Sequence, residues 1–135
     1  MQKLQESLQM DENIMSKTIL VVEDDDSIGS LLVDALSQET AYTTILVTDG
    51  LQALRVMCTL KPCLVITDYL LPYMDGIELF DRVHAMAAMA NVPTILMSAD
   101  MPEKEVGKRD LIGLAKPFEL DELLDTVEDL LERSA

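Results

Sequence analysis

The chain has 135 residues, 49% apolar and 26% charged, which suits one globular domain with a real core and is too short for two. Its formal net charge of −15 argues against nucleic acid or an anionic membrane as a direct partner and fits a protein that binds cations or docks on something basic, although scattered carboxylates also serve plain solubility. No apolar run reaches the length of a membrane span and the N-terminus lacks the layout of a signal peptide, so a cytoplasmic protein is expected, with Cys58 and Cys63 as buried thiols and neither a disulfide framework nor half of a metal site.

Residues 1–17, "MQKLQESLQMDENIMSK", form a polar extension. Leu4 and Leu8 lie one turn apart, so the segment reads either as a short amphipathic helix or as nothing ordered, and Met15 is a candidate start. From Thr18 the pattern alternates. "TILVV" (18–22) is a continuous aliphatic run, the mark of a strand covered on both faces. Ile28, Leu31, Leu32, Ala35 and Leu36 then recur at helical spacing, with Asp25 and Asp26 placed to start that helix and face solvent. "TTILVT" (43–48) predicts a second strand, and Asp49 caps a helix whose apolar face is Ala53, Leu54 and Met57. "CLVIT" (63–67) predicts a third strand, followed by the loop "DYLLPYMDG". Asp75 and Glu78 have capping-box spacing and open a helix with Ile77, Phe80, Val83 and Ala87 inward. "PTILMS" (93–98) predicts a fourth strand. Asp100 with Glu103 is a second capping-box signal, but its helix is short, poorly amphipathic and contains Gly107. "LIGLA" (111–115) is a weak fifth strand. Leu120, Leu123, Leu124, Val127, Leu130 and Leu131 mark the closing helix. His84 lies near the apolar stripe and reads as a packed or surface histidine with no chemical role. The nine methionines read as core filler.

Five strands alternating with five helices imply right-handed βαβ units and a parallel sheet covered on both faces. In such sheets ligands bind beyond the carboxyl ends of the strands, where the strand order reverses. Strand one ends in Glu23 and Asp24, strand three in Asp68, strand four in Ser98 and strand five in Lys116. The topology gathers these distant residues on one edge. Three carboxylates in a partly desolvated site repel one another strongly. Lys116 offsets one charge, and the remainder calls for a hard divalent cation with oxygen ligands, for which Mg²⁺ is the best fit.

The segments "ILVVEDD", "LVITDYLLPYMDG", "PTILMSA" and "AKPF" resemble the signature pieces of the response-regulator receiver domain of two-component signalling. The resemblance covers about residues 17–134, with residues 18–134 as the receiver domain. It implies a flavodoxin-like α/β fold with strand order 2-1-3-4-5. It implies that Asp68 is the phosphoacceptor, that Asp24 ligates Mg²⁺ directly and Glu23 through water, and that Leu70 lends its backbone carbonyl to the metal. It further implies that Ser98 bonds the phosphoryl group, that Lys116 pairs with it, that the Lys116–Pro117 peptide is cis, and that Pro72, Asp75 and Gly76 shape the loop after the phosphoacceptor. The implied function is capture of a phosphoryl group from the phosphohistidine of a sensor histidine kinase or phosphotransfer protein, with a signal passed on through changed binding to a downstream protein. Such a chain catalyses its own phosphorylation and slow dephosphorylation and is not otherwise an enzyme. Two other readings stay open: a receiver-like interaction module that no longer takes phosphate, and the receiver half of a longer transcription regulator. A phosphatase of the haloacid-dehalogenase type is disfavoured, because its nucleophile lies on the first strand and here Asp68 is the better placed acid.

The sequence departs from the resemblance in two places. Counting three back from Lys116 gives Gly113, where receivers commonly carry an aromatic switch residue. The stretch from Ser98 to Lys116 is also short by about one helical turn, so helix four is expected to be short and mobile, ordering on phosphorylation or partner binding. Leu70, two residues past Asp68, is expected to hinder the attacking water and slow loss of the phosphoryl group.

Overall fold

A computed structural model describes residues 17–134; the extension at 1–16 lies outside the described residues. Strands β1 (Thr18–Val22), β2 (Thr43–Val47), β3 (Leu64–Asp68), β4 (Thr94–Ser98) and β5 (Ile112–Ala115) alternate with helices α1 (Asp26–Glu39), α2 (Gly50–Met57), α3 (Gly76–His84), α4 (Glu103–Gly107) and α5 (Leu120–Ser134). A short 3₁₀ turn, Ala87–Met89, comes after α3. All strand pairs are parallel and the order is β2-β1-β3-β4-β5. The chain starts in the middle, moves to one edge, then returns and runs to the other. The reversal falls between β1 and β3, so their carboxyl ends diverge into a crevice.

The three central strands are buried throughout, which is why they read as unbroken aliphatic runs. One core layer joins Ile19, Val21, Ile66 and Met97 to Leu32 and Leu36 of α1 and Leu123 and Val127 of α5. The opposite layer joins Leu20, Val22 and Val65 to Ala53 and Met57 of α2 and Leu79 and Val83 of α3. A third cluster, Ile77, Phe80, Leu96 and Leu111, takes in Met101 and Val106 at α4.

The helix starts are set by acids. The carboxylates of Asp25, Asp49 and Asp75 each accept the backbone N–H three residues on, from Ile28, Gln52 and Glu78, at 2.8–3.0 Å, satisfying donors that have no partner within the helix. Asp100 makes no such cap. Pro102 stands before α4 and no side chain caps it; the Glu103 N–H bonds the Met101 carbonyl instead, and the Ser98 hydroxyl holds the backbone of Asp100.

Three expected faces differ. In α1 the buried residues are Gly29, Leu32, Ala35 and Leu36, while Ile28 and Leu31 are exposed. Gly29 sits so close to Leu46 of β2 that a Cβ would meet it at 2.9 Å, and this contact turns the helix so that Ile28 and Leu31 fall at the edge of the stripe. Helix α3 ends at His84, so Ala87 falls in the 3₁₀ turn and is exposed. Cys58 is exposed, Cys63 is half-buried, and both thiols are free.

His84 is a packing residue. Its ring stacks on Phe80 with centroids 3.9 Å apart, and its nitrogens lie 2.9 Å from the Phe80 carbonyl and 2.8 Å from that of Val92. It stands near the amino end of β4, at the opposite end of the sheet from the crevice.

Candidate functional site

The backbone ladder continues past the strand ends and fixes the residues that line the crevice. The N–H of Glu23 donates to Val47 O at 3.0 Å, that of Tyr69 to Met97 O at 2.8 Å, and that of Lys116 to Ser98 O at 2.8 Å. Glu23, Asp68, Ser98 and Lys116 therefore leave the sheet from held positions.

Glu23, Asp24 and Asp68 each offer a carboxylate oxygen, and these oxygens lie within 4.8 Å of one another. Lys116 Nζ lies 2.7 Å from Asp68 Oδ1 and 3.6 Å from Glu23 Oε1. The expected gathering of acids from β1 and β3 with the amine after β5 is present. Asp24 faces solvent, Asp68 is nearly closed off at 9% exposure, and Glu23 is buried at 1%. The Lys116–Pro117 peptide is cis, as the resemblance implied.

The electrostatics are unbalanced. Burial pushes the Glu23 carboxyl above its ordinary range and repulsion by Asp68 adds to this, against the N–H of Asp25 and the charge of Lys116, which pull it down. Glu23 Oε2 accepts that N–H at 3.2 Å, but Oε1 is buried without a hydrogen-bond partner. For Lys116 burial is the largest single influence and lowers it; the bond and charge of Asp68, with the charge of Glu23, outweigh burial and hold the amine above its ordinary range. Three acids against one amine leave a surplus of negative charge, and an orphaned buried oxygen points into the cluster. A hard cation with oxygen ligands relieves both, so the donor set fits a divalent metal ion.

Ser98 is buried beside the cluster. Its hydroxyl donates to the carbonyl of Asp100 at 2.8 Å and accepts the Asp100 N–H at 3.1 Å. Leu70 stands on the lip of the β3–α3 loop with its side chain 72% exposed. Within this loop Tyr73 takes a φ of 74°, a left-handed conformation that is unusual for a bulky residue. The N–H of Gly76 donates to Tyr69 O at 2.8 Å. A Cβ at Gly76 would meet the carbonyl oxygen of Asp68 at 2.5 Å, so only glycine allows α3 to start so close to the end of β3.

Sequence reading missed the apolar rim. Ile28 and Leu31 on α1, with Ala99, Pro117 and Phe118, line an open groove that reaches Lys116. The available signal was six apolar positions within nine residues of α1 (28–36), more than one narrow stripe can bury.

Fold and site together define a flavodoxin-like α/β domain whose switch point carries a charged pocket built to accept a cation. The model of the response regulator receiver domain matches residues 19–128, and the chain belongs to that family. It is 35% identical over 122 residues to sporulation initiation phosphotransferase F of Bacillus subtilis, a match that covers 87% of this chain and 96% of that protein. It is also 35% identical over 126 residues to the alkaline phosphatase synthesis transcriptional regulatory protein PhoP of B. subtilis, covering 89% of this chain but 50% of the relative, and 34% identical to the sensor histidine kinase TmoS of Ectopseudomonas mendocina, of which it spans 12%.

Among solved structures it resembles the receiver domain of the Francisella response regulator 1452 (TM-score 0.78, 29% identity, 89% of this chain and 100% of that one). It also resembles the receiver domain of the sensor histidine kinase PA1611 from Pseudomonas aeruginosa (TM-score 0.77, 26% identity, 87% and 98%), in which a magnesium ion is coordinated in the active-site cleft. The chain is thus a phosphoacceptor signalling domain of a family that works with histidine kinases or phosphotransfer partners. Among the described residues no helix is long and apolar enough to cross a membrane.

Proposed function

We propose that Asp68 receives the phosphoryl group, from the phosphohistidine of a sensor histidine kinase or phosphotransfer protein. The observation that carries this reading is the cluster itself: Asp68 stands 2.7 Å from Lys116 and within 4.8 Å of Glu23 and Asp24. The second Asp68 carboxylate oxygen attacks phosphorus in line while the Lys116 amine holds the first, and the phosphorus–nitrogen bond breaks as the donor imidazole leaves. As negative charge gathers on the phosphoryl oxygens, Lys116 and the Ser98 hydroxyl stabilise it, so the protein works by position and charge and does little covalent chemistry of its own.

Glu23, Asp24, Asp68 and the backbone carbonyl of Leu70 would hold Mg²⁺. When bound, the ion supplies positive charge to the acceptor carboxylate and the incoming phosphoryl oxygens. The apolar rim of Ile28, Leu31, Pro117 and Phe118 seats the donor protein, since it lines an open groove that reaches Lys116 beside Asp68. The chain catalyses its own phosphorylation and a slow return to the free carboxylate, turns over no separate substrate, and passes its signal to a downstream protein. The free thiols support a reducing, cytoplasmic setting.

Incubation with Mg²⁺ and acetyl phosphate tests this. A phosphoryl mass gain that maps to Asp68 supports the reading; a gain that survives Asp68→Asn, or none in the parent, overturns it.

A further inference from the structure

Helix α5 has two exposed flanks that differ in charge. On the flank toward β5, Arg133 pairs with Asp129 at 3.5 Å beside Ile112. The flank toward α1 carries acids and no cation. Asp121, Asp125, Glu128 and Glu132 follow one another at intervals of four, three and four residues, which sets them in one row roughly 16 Å long. Glu39, the last residue of α1, lines the same open groove of about 550 Å³. All five side chains are exposed, and none has an ion-pair or hydrogen-bond partner among the described residues.

The floor of this groove is apolar and its far wall is fixed. Tyr42 and Leu124 are half-buried against the core layer that holds Leu36, Leu123 and Leu131. The turn that carries Tyr42 is tied by Thr40, whose hydroxyl donates to the Leu36 carbonyl at 2.7 Å and accepts the Tyr42 N–H at 3.2 Å. The Tyr42 hydroxyl bonds to none of the described residues, so an aromatic ring with an unused polar tip faces whatever lies in the groove.

These charges are poorly placed for the chain on its own. Like charges four residues apart on a helix repel. Glu39 and Glu132 lie in the last turns of α1 and α5, where the helix dipole favours cations, and α1 has no basic residue in its last turn. Positive charge from outside relieves each of these strains. A metal ion does not suit the row, because among the described residues only Glu23, Asp24 and Asp68 converge closely enough to share one. A second copy does not suit it either, since two chains of net charge −15 would set acid against acid. The chain's own extension has Lys3 against Glu6, Asp11 and Glu12 and offers no surplus of cations. A row of separated acids over an apolar floor matches a helix that carries cations at the same intervals.

We propose that the groove between α1 and α5 docks a basic amphipathic helix of a partner protein, with its Lys or Arg side chains on the acid row and its apolar face on Tyr42 and Leu124. The groove shares no residue with the Asp68 crevice, and the inference does not depend on the phosphoacceptor reading.

A synthetic helical peptide that repeats the spacing of the row with lysines, and carries leucines beside them, is the probe. A scrambled peptide of the same composition is its control. Titration of the full chain at low salt is expected to show the ordered peptide binding about tenfold tighter than the scrambled one, with amide shifts confined to 39–42 and 121–132. Glu128→Gln with Glu132→Gln should weaken binding by about tenfold. Asp34→Asn with Glu103→Gln removes the same charge elsewhere and should leave it within about twofold. Equal weakening by the two double variants, or equal affinity for the two peptides, would reduce the attraction to net charge and overturn the site. Shifts outside the groove would overturn it as well. So would shifts at 39–42 and 121–132 that grow with protein concentration in the absence of peptide, which would give the groove to a second copy.

Discussion

Two clusters in this molecule are built from the same kinds of side chain and sit in opposite electrostatic states. At Arg109, which clamps α3 to α4, one guanidinium serves two carboxylates with three close contacts and a backbone carbonyl with a fourth. Its hydrogen bonds hold the carboxyls of Asp81 and Glu105 below their ordinary range, and the two acids in turn hold the guanidinium above its own. Every charge there has a partner. In the crevice one amine serves three carboxylates, burial drives Glu23 upward, and one of its oxygens is left without a bond. Charge that is satisfied makes a fastener, whereas charge left in surplus and held there by rigid strands leaves a place for something not yet bound.

The sharpest way to break this contrast is chemical. Asp68→Asn should lose all phosphoryl uptake from acetyl phosphate, while Asp81→Asn should keep it; intact-mass measurement decides, and the reverse pattern would make the clamp the reactive cluster. Next is the response to metal. If the folded cluster holds Mg²⁺ and the unfolded chain offers it no site, the ion at a hundred times its Kd should add about 2.7 kcal/mol of stability, read as a higher melting temperature. Asp24→Asn should remove most of that gain. Without metal, Asp68→Asn should melt above the parent, because it removes one of the crowded negative charges.

Acid sharpens the comparison from the other side. The ordinary values for Asp81 and Glu105 are 3.8 and 4.5, and both are lowered in the fold. Their stabilising contribution is therefore complete above those values and is lost as pH falls through the depressed folded ones. Melting temperatures between about pH 4.5 and pH 3 should drop less steeply in Asp81→Asn than in the parent; equal slopes would mean that the clamp contributes nothing to stability. The smallest effect is kinetic. Leu70→Asn should speed loss of the phosphoryl group by roughly threefold to tenfold, a barrier change of about 1 kcal/mol. Decay unchanged or slowed in a time course would show that Leu70 does not impede water.

How far the sequence discloses a feature depends on whether that feature is set locally, by burial or by topology. The buried strands β1, β3 and β4 are legible because a strand covered on both faces needs apolar residues at every position, as at Ile19, Leu20, Val21 and Val22. The site is legible for a topological reason: alternating strands and helices bring all carboxyl ends to one edge, so Glu23, Asp24, Asp68, Ser98 and Lys116 meet however far apart they lie in the chain. Caps at Asp25, Asp49 and Asp75 are local and were readable for that reason.

The Arg109 clamp was not legible. It joins residues 28 apart across two helices whose packing no local pattern specifies. The false cap at Asp100 shows the reverse error, a local signal overruled because the Glu103 N–H bonds the Met101 carbonyl. Ile28 and Leu31 fail similarly, since helical spacing gives a stripe but not its centre, and Gly29 against Leu46 sets the centre.

Gly76 carries a consequence for where movement can begin. With the Asp68 carbonyl 2.5 Å from the spot a methyl group would fill, and with Gly76 N–H tied to Tyr69 O, the acceptor and the first turn of α3 act as an anvil. Substituting Gly76 by alanine would crack that anvil, because the added methyl group would have to push the acceptor strand and α3 apart.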